Sequence, residues 1–268
     1  MRKIWIVLAL VLCIALALGG CTVMMGGFGM RTVRGNRNVV TREFALDAPD
    51  FNPPEEGEAW ELLSFTLMNL SMHQRNFGEN RSNVLIFNET LGNAVYVTTD
   101  DNLFDHLVIR TDDGHFSIYS TARIIPTELR ITTGLPFTYL QINGAWNIAY
   151  NHTGVPYAHI TLGGVTTGEF NFGQLQDRLT VVMDGVGTIT LRGEGPSALF
   201  STNGVGNIRA FDFIAETVDV TTNGVGNAEV HATVRLDAHS NGVGNITYDG
   251  NPTEGRQTAA GIGRIRAR

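Results

Sequence analysis

The sequence has almost no cysteine. Of its 268 residues only Cys13 and Cys21 carry a thiol, so no disulfide framework holds the fold and a packed core has to. After the first 20 residues it also lacks any apolar run of the ~20 residues needed to cross a bilayer. It lacks positive charge: the formal net charge is −7, which excludes the electrostatic footprint of nucleic-acid binding. Nor does it have the composition of a disordered chain, because 43% of residues are hydrophobic and only 17% charged. The motifs of several chemistries are missing too. No two of His73, His106, His115, His152, His159, His231 and His239 stand at metal-ligand spacing. There is no Gly-x-Ser-x-Gly, no phosphate loop and no usable Cys nucleophile. The chain therefore reads as a non-enzyme with no catalytic residues, no bound metal and no cofactor.

What is present begins at the N-terminus. Arg2 and Lys3 precede an unbroken apolar run from Ile4 to Leu18, followed by Gly19, Gly20 and Cys21. A basic start, a short apolar core and small residues describe an export signal over 1–20. Leu18-Gly-Gly-Cys21 resembles a bacterial lipobox, with Cys21 as the lipidated first residue of the mature protein. Acylation explains the single cysteine that survives export, and several acyl chains give stable anchoring. Removal of Arg2 and Lys3 takes the net charge from −7 to −9, so the membrane contact is expected through the lipid and not through charge. Residues 21–38 read as a tether. Thr22 is no acidic retention signal, which favours the outer membrane or cell exterior over the inner membrane.

The second half of the chain repeats. Thr202-Asn-Gly-Val-Gly-Asn-Ile208, Thr222-Asn-Gly-Val-Gly-Asn-Ala228 and Ser240-Asn-Gly-Val-Gly-Asn-Ile246 are close to identical, and Met183-Asp-Gly-Val-Gly-Thr-Ile189 differs little. Looser copies lie at 142–148, 162–168 and 260–265. The first glycines of the copies are Gly144, Gly164, Gly185, Gly204, Gly224, Gly242 and Gly261, with spacings of 20, 21, 19, 20, 18 and 19. The second glycines include Gly206, Gly226, Gly244 and Gly263. A period near 20 means a solenoid, and between corners apolar residues alternate with a period of 2, as in strands. The expected fold is all-β: a single-domain, β-helix-like solenoid over 39–268 with coils of about 19–20 residues and regular repeats over 138–268. At ~4.8 Å between strands the seven corners span roughly 30 Å.

Each column of the repeat then has an expected place. Leu140, Ile160, Val181, Phe200, Val220 and Ala238 form one apolar ladder, and Ile148, Ile189, Ile208, Ala228, Ile246 and Ile265 another. The valines inside the corners, Val165, Val186, Val205, Val225 and Val243 with Ile262, are expected to form a further interior ladder. The glycines are expected to supply positive φ at sharp corners. The flanking asparagines are expected to hydrogen-bond from coil to coil. One acid, Asp184, does not make these corners a calcium site.

Before the repeats, 49–58 is a Pro- and acid-rich loop and Trp60 to Met72 is a strand or a short helix. Short β-rich segments at 83–87, 94–99, 107–110 and 116–119 read as irregular first rungs forming the N-terminal cap, which covers strand edges. At the other end Arg256, Arg264, Arg266 and Arg268 either block aggregation at the last edge or contact an anionic glycan or lipid headgroup.

Several stretches together resemble one family. Val33-Arg-Gly-Asn-Arg-Asn-Val-Val40, Val97-Thr-Thr-Asp-Asp-Asn-Leu103, Thr111-Asp-Asp-Gly-His-Phe-Ser-Ile118, the Gly-x-Gly corners, Ile246-Thr-Tyr-Asp-Gly-Asn-Pro252 and Ala260-Gly-Ile-Gly263 occur in the order and spacing of the head GIN domain of auto-transporter adhesins. The resemblance covers about 33–266 and departs from the family at 50–82. It implies a β-helix-like solenoid, and an exported protein that is often a lipoprotein; it carries no catalytic or binding residues.

Two functions remain in view. One is a cell-envelope lipoprotein that binds a surface glycan or protein, or serves as a scaffold. The other is a carbohydrate-active β-helix enzyme. For the second, Asp212, Glu216, Asp219, Glu229 and Asp237 would have to converge as paired carboxylates; outward, solvated positions with an Arg209–Glu229 surface pair are the simpler expectation. The anchor is tested by feeding labelled fatty acid to cells making the protein. Label should enter the wild type and not Cys21→Ala; label in Cys21→Ala contradicts the lipobox reading.

Overall fold

The protein is described here from a computed structural model, which covers residues 31–46, 64–70, 83–91, 94–112 and 114–268. The export signal, Cys21 and the Pro- and acid-rich loop lie outside the described residues. The fold is a single-domain β-solenoid of about six turns.

The alternation seen in the sequence becomes a parallel stack. Strands Tyr139–Asn151 and Ala158–Gln174 pair in parallel. Arg178–Met183 and Val186–Thr202 follow, then Val205–Thr222, Ala228–Ser240, Ile246–Asp249 with Gln257–Ala259, and Ile265–Ala267. Leu140, Ile160, Val181, Phe200, Val220 and Ala238 are register partners and are buried, as the period-2 pattern requires. One interior column narrows along the stack. Tyr150, Phe170 and Leu191 fill it near the cap, whereas Ala210 and Val230 fill it further on.

The corners work differently from expectation. Positive φ occurs at Gly144, Gly164, Gly187, Gly226 and Gly244, but not at Gly185, Gly204, Gly224, Gly242 or Gly261. These five are glycine because of what lies next to them. A Cβ on Gly204 would overlap the carbonyl oxygen of Gly185, one on Gly224 that of Gly204, and one on Gly242 that of Gly224. The second glycines form a parallel relay in which Gly226 sits over the Gly206 carbonyl, Gly244 over Gly226 and Gly263 over Gly244. The backbone ladder runs unbroken through this crowding. The amides of Val205, Val225 and Val243 each donate to the first glycine of the preceding corner at 2.9 Å. A corner carries the Cα–Cβ vector along the stack, where the neighbouring coil is only about 4.8 Å away.

The valine column is a second correction. Val165, Val186, Val205, Val225, Val243 and Ile262 are exposed, not interior, at 59, 44, 52, 45, 39 and 75%. From Val186 onward the middle residue stands between two glycines that face the neighbouring coil and can only point outward. The flanking asparagine ladders do form. Asn203 donates to Asp184 at 2.7 Å, Asn223 to Asn203 and Asn241 to Asn223 at 2.9 Å. On the other flank the amides of Asn227, Asn245 and Arg264 donate to Asn207, Asn227 and Asn245.

The first rungs do not stack in chain order. Strand Ser64–Leu70, the described part of the apolar stretch at 60–72, pairs with Tyr139–Asn151 on one side and His115–Ser120 on the other. Asn83–Asn88 lies likewise between Tyr139–Asn151 and Leu129–Thr133. The earlier rung is thus inserted beneath a later one, and residues 133–138, all buried, carry the chain past it. Aromatic rings knit this crossing together. Phe65 and Phe87 come from the inserted rung, Phe137 from the crossing segment, and Tyr150 and Phe172 from the coils beyond. Their centroids are 4.9 Å apart for Phe65–Phe87, 5.1 Å for Phe87–Phe137 and 4.5 Å for Phe137–Tyr150.

The cap closes the stack by reversing direction. Ala94–Asp100 runs antiparallel to Leu129–Thr133, Val39–Ala45 antiparallel to Ala94–Asp100, and Leu107–Asp112 antiparallel to His115–Ser120. At the far end the strands only shorten, and Gln257–Ala259 is fully exposed.

Two glycine substitutions separate the two roles. Gly154 has φ +86 with open space around it, so Gly154→Ala should cost about 1 kcal/mol. Gly224→Ala drives a methyl into backbone and should cost about 3 kcal/mol or more in urea denaturation. Equal losses would contradict the stacking account.

Candidate functional site

Each coil has three faces with different chemistry. The face before the corner shows two outward columns. Tyr139, His159, Thr180, Leu199, Asp219 and Asp237 form one, and Gln141, Thr161, Val182, Ser201, Thr221 and His239 the other. It is mostly neutral, and flat up to a hollow at its distal end. Tyr139 stacks on His159 with centroids 5.1 Å apart, and burial lowers the His159 pKa below its ordinary value.

The face after the corner carries charge. Arg192 reaches Glu169 at 3.9 Å and Asp212 at 3.7 Å, bridging three coils. Arg209 and Glu229 are register partners as expected, but no ion pair joins them. Arg192, Glu169 and Asp212 are more than half exposed, so their pairs add little to stability.

The third face is the concave one. A cleft of about 630 Å³ is lined by Gln174, Leu175, Gln176, Glu194, Gly195, Pro196, Ile214, Glu216 and Thr233. Period 20 generates it: Gln174, Glu194 and Ile214 are spaced by 20 residues, and so are Gln176, Pro196 and Glu216. Two carboxylates, two amides and a hydroxyl share it with short apolar groups. That mixture suits a ligand with many hydroxyl groups and some apolar surface. The column spacing was present in the sequence, yet the lack of aromatic or repeated charged residues left it without a motif.

The acids weighed as a catalytic set do not converge. Asp212 faces Arg192, Asp219 lies on the flat face and Glu229 on the charged face, while Asp237 pairs with Arg235 at 2.7 Å. Only Glu216 reaches the cleft, where its acidic neighbour is Glu194. Among the described residues no group of three or more His, Cys, Asp or Glu side chains could hold a metal ion.

A second hollow of about 410 Å³, lined by Arg235, Asp237, His239, Gly255 and Arg256, lies near the distal end. Its Asp237 carboxyl is held below the usual range by the hydrogen bond from Arg235. Of the terminal arginines, Arg268 bonds Asp249 at 3.3 Å and lies 4.7 Å from the Phe211 ring. Arg264 continues the asparagine ladder through its backbone amide.

At the cap one buried carboxylate organises the entry of the chain. Asp100 accepts from the amides of Arg37 at 2.7 Å and Thr127 at 2.6 Å, and from the Thr127 hydroxyl at 2.8 Å. Asn102 adds its side chain to the Asn36 amide and the Arg34 carbonyl. Gly35 is glycine because a Cβ there would fall on the Asp100 carboxylate. The Gly-Asn-Arg-Asn and Asp-Asp-Asn stretches, far apart in the chain, are therefore two halves of one clamp. Thr32–Arg34 then pairs in parallel with Arg123–Ile125.

The comparisons agree with this architecture. The family described as putative auto-transporter adhesin, head GIN domain, matches residues 81–252. The crystal structure of a putative adhesin from Bacteroides fragilis NCTC 9343 superposes with a TM-score of 0.68 at 19% identity, covering 88% of this chain and 100% of that one. A putative adhesin from Parabacteroides distasonis ATCC 8503 gives 0.60 at 18% identity, covering 89% and 100%. A putative lipid binding protein from the same organism gives 0.53 at 20% identity, again over 89% and 100%. At these identities the likeness establishes the fold. No curated protein matches the chain.

The clamp makes a prediction. Asp100→Ala leaves the Arg37 and Thr127 amides without an acceptor and should cost about 2–3 kcal/mol. Trypsin should then cleave at Arg34 and Arg37 at least tenfold faster than in wild type. An unchanged rate would show that Asp100 does not hold the arm.

Proposed function

The chain belongs to the head GIN domain family of auto-transporter adhesins, and from that membership we propose that it is a non-catalytic, adhesin-like module displayed on the cell envelope by a lipid on Cys21. The described chain enters the fold at the cap, where the Asp100 clamp and the strand Val39–Ala45 lie. An anchor at Cys21 sets the cap nearest the membrane, and the regular coils rise away from it. The cleft on the third face stands among those coils, clear of the cap.

The observation that carries the binding reading is the cleft's chemistry. Gln174, Gln176, Glu194 and Glu216 offer donors and acceptors beside Leu175, Pro196 and Ile214. A surface glycan presents the matching hydroxyls and apolar ring faces; a protein loop rich in amides and hydroxyls is the other ligand of that kind. The two glutamates also keep the carbohydrate-active alternative open to a direct test.

Cells displaying wild type and a Gln176→Ala/Glu216→Ala variant are compared on immobilised glycans and matrix proteins, with soluble products assayed in parallel. Binding should fall at least tenfold in the variant with no change in melting temperature, and no shortened glycan should be released. Undiminished binding removes the cleft as the site. Product release by wild type that is lost in Glu216→Gln establishes the enzyme instead.

A further inference from the structure

The exposed valine rib has no role within the fold. Val165, Val186, Val205, Val225, Val243 and Ile262 repeat once per coil on the outside of the corner. Neither the core nor the cleft uses them: the cleft lies on the third face, whereas the rib lies between the other two. The backbone does not require an apolar side chain at an outward position between two glycines.

We infer that the rib is a contact surface for a second copy of this chain, the two solenoids standing parallel about a two-fold axis that runs along the stack. Three observations select this occupant. The first is pitch. The rib repeats at the strand spacing of ~4.8 Å, and the rib of a second copy repeats in step with it. The second is area. Six half-exposed branched side chains offer about 500 Å² per copy, the size of the larger apolar patches on a monomer. Two such ribs together bury about 1,000 Å², the lower bound for a specific interface, before the amide ladders are counted.

The third is the chemistry beside the rib. With the axis along the stack, each coil meets the same coil of the partner, and the flank before the valine meets the flank after it. The Asn203 column of one copy then faces the Asn207 column of the other, Asn223 faces Asn227, and Asn241 faces Asn245. Asp184 faces Thr188. No like charges oppose one another, and these four facing pairs each offer a donor to an acceptor, while Gly163 and Ala260 leave Thr167 and Arg264 unopposed at the two ends. A parallel pair also suits two chains anchored in one membrane, a consequence that rests on the Cys21 anchor; the pitch, area and amide complementarity do not.

The test is cross-linking of the full chain in envelopes of expressing cells, with a short thiol-reactive linker and no ligand added. Single variants Val165→Cys, Val205→Cys and Val243→Cys should each link to their own kind. Co-expressed Val165→Cys and Val243→Cys should give no mixed product. Val186→Thr/Val205→Thr/Val225→Thr in the Val243→Cys background should reduce linking at least tenfold. Thr221→Cys, on the flat face, and the chain with no added cysteine set the background. Linking at the rib no stronger than this background, or unchanged by the threonine substitutions, overturns the assignment. A mixed Val165→Cys/Val243→Cys product as abundant as the like pairs overturns the parallel arrangement. None of these outcomes bears on whether the cleft binds glycan.

Discussion

The close approach of one corner to the next is the constraint from which the rest of this structure follows. Strands of neighbouring coils stand about 4.8 Å apart, and the ladder stays continuous only if the corners keep that distance. At a corner the Cβ would point along the stack into a carbonyl oxygen. Glycine is therefore required twice in each of the regular distal corners, at Gly204 and Gly206, Gly224 and Gly226, and Gly242 and Gly244. Positive φ is needed only at some of these positions. With two glycines turned toward the neighbour, the residue between them must face water and the asparagines outside them fall into bonded columns. One steric requirement thus fixes the glycines, exposes the valines and stacks the amides.

The same requirement explains what could be read in the sequence. The period of the corners and the alternation of Leu140, Ile160, Val181, Phe200, Val220 and Ala238 are local signals, and each coil repeats them. They led to the solenoid and to its interior ladders. Val205 and its equivalents carry the same kind of signal, periodic and apolar, yet face outward. Periodicity shows that residues share a column but not which side of the sheet the column faces; at a corner the neighbouring backbone decides that. The insertion of the rung built from Ser64–Leu70 and Asn83–Asn88 had no local signal at all. Both chain order and inserted order satisfy the same strand pattern, and the choice belongs to Phe65, Phe87, Phe137 and Tyr150, which meet only in the folded protein. The Asp100 clamp was visible as a motif, while its partners, Arg37 and Thr127, are distant in sequence and joined only by the fold. The cleft follows from outward residues that share a period but no residue type.

The cap and the coils of this solenoid are built differently. The cap holds the entering chain and reverses strand direction, so its edge does not continue the parallel stack. The coils present a flat neutral face, a charged face, a concave face and an apolar rib between the first two. The faces vary with outward residues that the corner geometry leaves free, and those residues can change without disturbing the stack. The corners are at once what holds the coils together and the source of the one apolar line on the outside.

Hydrogen bonding runs unbroken through the corners despite their exposed side chains. Amide hydrogen exchange at Val205, Val225 and Val243 tests it most directly. Each amide donates to a glycine carbonyl of the preceding corner at 2.9 Å, so exchange should be as slow as at the buried strand residues Phe200 and Val220. Exchange at the rate of an open turn would contradict the account.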